Sequence, residues 1–126
     1  MSKQIIQTNN APAPIGPYNQ AVKAGNFLFV SGQVAIKPGT NDFANADIIE
    51  ETHQVLQNIK AILAEAEMDF SNIVKTTIFL SDMDLFSRVN EIYAKYFDGD
   101  FPARETVAVK GLPKNANVEI SVIAAV

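Results

Sequence analysis

The chain has 126 residues, 48% of them hydrophobic, and carries ten Lys and Arg against fourteen Asp and Glu for a formal charge of −4. It has no cysteine and one histidine, His53, which excludes disulfides, thiolate catalysis, iron–sulfur clusters and a His-rich metal centre. The acidic balance gives no bulk attraction to nucleic acid, so an anionic ligand needs a local positive site.

The N-terminal "MSKQIIQTNNAPAP" has no long apolar run followed by small residues, so neither a signal peptide nor a membrane span is expected, and the default address is cytoplasmic. With no repeats or linkers, residues 1–126 read as one domain, which buries roughly two-thirds of the surface its unfolded chain exposes. "KQIIQT" is a short strand running into "NNAPAPIGPYNQ", whose prolines and glycine forbid helix. "QAVKAG" and "NFLFVSGQVAI" form a hairpin about Ala24–Gly25–Asn26, and in the second run Leu28 and Val30 point one way, Phe27 and Phe29 the other.

After the loop "KPGTNDFAN", a helix is predicted from about Asp47 to Glu67. Ile48, Ile49, Val55, Leu56, Ile59, Ile62, Leu63 and Ala66 make its stripe, and Asp47 with Glu50 makes a start box. "NIVKTTIFL" is a β-branched strand. "SDMDLFSRVNEIYAKYF" returns to helical spacing, "DGDFP" breaks it, and the last strands span about Glu105–Lys110 and Val118–Val126 around "GLPKNAN". The order β-β-β-α-β-α-β-β gives an α+β fold with about six strands and two helices. Two helices cover one face of such a sheet; the strands are apolar on both, so a partner, most simply a second copy, is expected on the other.

Glu119 interrupts the final apolar strand, on the same alternate set as Ser121. It reads either as an edge charge or structural ion pair, or as a general base whose pKa is raised by burial. Arg104, stiffened by Phe101–Pro102, suits bidentate capture of a carboxylate, or is the ion-pair partner of Glu119; either way the two are expected close together. Tyr18 sits in a rigid turn after Gly16–Pro17. Ser31–Gly32 reads as a bulge that exposes an amide to an anion. Asn90, inside a helix, suggests a specific hydrogen bond. His53 reads as a solvated or capping residue, and Lys75 carries no mark of a Schiff-base lysine.

Taken together, "IGPYNQA", "LFVSGQVAI", "NIKAIL", "IVKTTIFLSDM", "YFDGDFPARETVAV" and "LPKNANVEISVIAAV" resemble the RidA family (reactive intermediate/imine deaminase A, formerly YjgF) along essentially the whole chain. The resemblance implies a chorismate-mutase-like fold with two helices on one face of a six-stranded mixed sheet. It also implies a homotrimer around a central barrel with sites in the clefts between subunits, and cofactor-free hydrolysis of 2-imino acids to 2-keto acids and ammonia. Carried across, Arg104 is the carboxylate clamp and Glu119 the water-activating group. Tyr18, Ser31 and Gly32 form the pocket wall and anion-contacting turn, and Asn90 is a polar residue of the cleft. Thr106 stands where many members have cysteine, with its backbone N–H still able to bind the carboxylate. Asn19 replaces a usual serine. Two rival expectations are a keto- or amino-acid sensor without turnover and a ribonuclease or translation inhibitor; the −4 charge and the lack of a histidine pair argue against the latter.

Overall fold

Alternation along the strands sorts the chain into a covered and an open sheet face. The computed structural model describes residues 2–126. It contains β1 (Lys3–Ile6), β2 (Ala21–Ala24), β3 (Phe27–Gln33), α1 (Ile48–Glu65), β4 (Ile73–Leu80), α2 (Phe86–Ala94), β5 (Ala103–Ala108) and β6 (Val118–Ala125). One mixed sheet runs in the order β1-β2-β3-β6-β4-β5, antiparallel throughout except for the parallel β4–β5 pair. The expected α+β architecture and element order hold. No helix among the described residues is long and apolar enough to cross a membrane.

The Asp47 side chain caps α1 by accepting the Glu50 amide at 2.8 Å. The Glu50 carboxylate reaches back one residue further than a standard box, to the Ala46 amide at 3.0 Å. Val55, Leu56, Ile59, Ile62 and Leu63 are almost fully buried against Leu28, Ile78, Leu80, Val118, Ile120 and Ala124 of the sheet, each such side chain contributing about 1.5–3 kcal/mol. Ile49, read into the same stripe, is instead 46% exposed. The second helix begins later than its periodicity suggests. Asp82 caps a 3-10 turn, Met83–Leu85, through the Asp84 amide, and α2 proper starts at Phe86.

Both helices draw on the face that carries Val118, Ile120, Val122 and Ala124. On the opposite face Ile5, Val22, Phe29 and Ile123 stand in register across four strands, with Phe27 opposite Ala125. Phe27 and Phe29 are 48% and 46% exposed, so this apolar face is open in the single chain.

Candidate functional site

Glu119 lies at the start of β6 on the helix-free face, beside a bulge in β3. Val30 pairs with Val122 and Gln33 with Ile120, so Ser31 and Gly32 together oppose Ser121. A Cβ at position 32 would lie 2.6 Å from Glu119 Oε2 and 2.8 Å from its Cδ, so any other residue there would push this carboxylate out of its place. The carboxylate thus rests on bare backbone, in a cavity of about 380 Å³ also lined by Ile15, Tyr18, Ser31, Ile36 and Pro113. Burial raises the Glu119 pKa above the ordinary carboxylate value.

The loop that walls this cavity is tied down by a residue not singled out in the sequence. Gln20, 2% exposed, donates to the carbonyls of Thr8, Ala11 and Pro12 and accepts the Thr8 amide. Ser31 Oγ donates to the Asn19 carbonyl at 2.6 Å, and the Ser31 amide to the Gln20 carbonyl at 2.9 Å. The anion-contacting amide expected at this turn is therefore not that of Ser31. Tyr18 stays 46% exposed, its hydroxyl accepting the Ile15 amide at 3.3 Å.

Arg104 is elsewhere. On β5 it pairs with Thr76, a position of the helix-covered face, whereas Glu119 pairs with Phe79 on the open face. The expectation that the two sit together fails within one chain: they occupy opposite sides of the sheet, and the one ion pair among the described residues is Lys75–Glu105, at 3.3 Å. Arg104 shares a second cavity, about 280 Å³, with Asn90, Tyr93, Ala94, Phe101 and Pro102. Its guanidinium carbon lies 5.0 Å from the Tyr93 ring centroid and 5.7 Å from that of Phe86. Asn90 lines this cavity and makes no side-chain hydrogen bond among the described residues, so the specific bond expected of it is not internal to the chain.

Thr106 follows Arg104 on the same face. Its Oγ1 is buried without a hydrogen-bond partner. Val109 donates to the Leu80 carbonyl at 2.8 Å, and in a parallel pair alternate residues bond the same neighbour. The amides of Arg104 and Thr106 accordingly face the open edge of β5. His53 is partly exposed and is not a cap: its Nδ1 bonds the Tyr96 hydroxyl at 2.8 Å, and it lines neither cavity. No group of three or more His, Asp or Glu able to hold a metal ion is gathered among the described residues.

Two residues of α1 that the sequence reading passed over support the first cavity. Glu51, 1% exposed, accepts the amides of Asn117 (2.7 Å) and Val118 (3.3 Å) and the Asn117 side chain (2.9 Å), fixing the residues just before Glu119. Asn58, fully buried, donates to the carbonyls of Val34 and Ile36. Their signal was present: positions 51, 55, 58 and 62 share one helix face, and two of the four are polar.

The family model described as Endoribonuclease L-PSP matches residues 8–126. The chain is 47% identical over 124 residues to Reactive Intermediate Deaminase A, chloroplastic, of Arabidopsis thaliana, covering 98% of this chain and 66% of that protein. It superposes on a Yersinia pestis protein of the conserved Rid family with a TM-score of 0.96, 52% identity and coverage of 99% and 100%. Against E. coli TdcF with bound serine the TM-score is 0.93, with 38% identity and 98% of each chain covered.

Proposed function

The chain belongs to the RidA (YjgF) family, and from that premise we propose that it is an imine deaminase, hydrolysing 2-imino acids such as 2-iminobutanoate and 2-iminopropanoate to 2-keto acids and ammonia. One observation carries the reading. Arg104 and Glu119 each lack an ionic partner among the described residues and stand on opposite sheet faces. A free guanidinium and a free, half-buried carboxylate are what a substrate with a carboxylate and an adjacent imine requires. They meet when Arg104 of one copy approaches Glu119 of another, in a homotrimer whose subunits cover one another's open apolar faces. The name of the Arabidopsis relative and the serine bound to TdcF support a small amino-acid-like ligand.

In this site Arg104 and the Thr106 amide hold the substrate carboxylate, Asn90 borders it, and Tyr18 and Gly32 bound the imine end. Glu119 takes a proton from water as the oxygen attacks C2 of the protonated imine, giving a neutral carbinolamine. Glu119 then returns that proton to the nitrogen, and the C–N bond breaks as the C2 hydroxyl becomes the keto oxygen. The hydroxyl proton passes through Glu119 to the departing ammonia, which leaves as ammonium. A carboxylate whose pKa is raised by burial is a stronger base than an ordinary one, which favours taking the proton from water. Positioning does much of the rest, since imines hydrolyse readily in water.

The test generates 2-iminobutanoate in situ with a threonine dehydratase and follows keto-acid release. Arg104→Ala should abolish ligand binding and turnover together, and Arg104→Lys should recover little, a point charge being no substitute for the fork. Glu119→Gln should retain keto-acid binding and slow hydrolysis ~10²-fold. Wild-type release no faster than in buffer would remove the enzyme reading and leave a binding protein. Against a ribonuclease, the sole histidine, His53, is bonded to Tyr96 and lines neither cavity.

A further inference from the structure

Arg104 is held by more than its own strand. Tyr93 beneath it is 4% exposed and is pinned at both ends. Its ring packs on Phe97 at 4.9 Å, and its hydroxyl donates to Thr76 Oγ1 at 2.8 Å. Thr76 is itself fully buried on β4 and is the register partner of Arg104 on β5. Strand, helix and arginine thus close a small circuit: Thr76 holds Tyr93, Tyr93 lies under the guanidinium, and the arginine's backbone returns to Thr76. Two core positions carry polar groups here where valine and phenylalanine would fill the same space.

We propose that Thr76 and Tyr93 are positioning residues for Arg104, fixing the plane of its guanidinium so that the N–H edge is aimed at the second cavity before a carboxylate arrives. The proposal rests on reading Arg104 as the carboxylate clamp. An arginine side chain on an edge strand has many rotamers, and freezing them on binding weakens affinity. A ring at 5.0 Å restricts them by cation–π attraction while leaving the in-plane donors free. The hydroxyl contact keeps the ring from rotating or sliding along α2. Burial raises the Tyr93 phenol above its ordinary pKa, against the opposing pulls of Thr76 and Arg104, so it remains a neutral donor.

Tyr93→Phe keeps the ring and removes the pin; Thr76→Val keeps the volume and removes the acceptor. Each should raise KM for the imino acid and Kd for the keto acid about three- to tenfold with kcat nearly unchanged, a modest misorientation of a clamp. Because both substitutions break one link, the double variant should be no worse than either single one. A tyrosine serving only the core would lower the melting temperature and leave affinity as it was; unchanged affinity in both variants overturns the proposal. A second readout needs no turnover. The chain has two arginines, Arg88 and Arg104, so its Nε–Hε NMR spectrum has two signals, and Arg88→Lys assigns them. The Arg104 signal should show slow motion in wild type and fast motion in both variants. An Arg104 signal equally mobile in all three overturns the positioning role. Wild-type protein that neither turns over nor binds keto acid defeats the clamp reading instead, and leaves the NMR comparison to decide whether the arginine is locked.

Discussion

A carboxylate on bare glycine backbone is exposed to few atoms that could stabilise its charge. Glu119 has Gly32 against it and a mostly apolar cavity around it, and desolvation is the cause of its raised pKa. The sign follows. Between the ordinary value and the raised one, the folded chain keeps a proton that the unfolded chain releases, so stability falls as pH rises through that window and the loss is complete above it. Glu119→Gln should therefore melt higher than wild type at pH 8 and level with it near pH 4, a modest gain because the group is only half buried. Equal melting differences at both pH values would mean that the carboxylate is ionised without cost. The same shift should place the acid limb of kcat/KM above the usual carboxylate range if Glu119 is the base.

At the scale of elements, α1 is a scaffold as well as a lid on the core. Glu51 holds the entry of β6 and Asn58 the segment after β3, the two chain stretches that flank the first cavity. Glu51→Gln replaces one acceptor oxygen with a donor facing amides that need an acceptor. It should lower stability by about 1–3 kcal/mol in urea unfolding, the range for an unsatisfied buried group; an unchanged midpoint would show that water takes over the bonds.

Such contacts mark the limit of what the sequence discloses. Period 2 in "NFLFV" and "VEISVIAAV" and period 3.6 in residues 48–63 are local signals, and the strands and first helix follow from them. The bulge at Ser31–Gly32 was legible because glycine interrupts a bulky strand. The start of α2 was blurred because Asp82 caps a 3-10 turn that shares the helical spacing. The separation of Arg104 from Glu119 was hidden for a different reason. Which face a side chain takes depends on register between strands far apart in the chain, and a slip of one residue reverses it. Tyr93, a helix-stripe aromatic by spacing, becomes interesting only once β5 brings Arg104 over it.

For the whole molecule, the open apolar face and the divided site point the same way. Ile5, Val22, Phe29 and Ile123 form an apolar row that water meets directly in the single chain, and three copies closing on these faces would remove it from solvent. Light scattering on wild-type protein should give a particle of about three chains.

Division of the site between faces also has a genetic consequence. In the proposed homotrimer each cleft would draw its arginine from one polypeptide and its glutamate from a neighbour, so two inactive alleles would complement. When Arg104→Ala and Glu119→Gln chains are unfolded together and reassembled at equal ratio, about a quarter of the clefts should combine the intact arginine of one with the intact glutamate of the other, as random assortment around a ring requires. Activity should rise from the background of either parent toward that fraction of wild type. A site contained within one chain would allow no rescue at any mixing ratio.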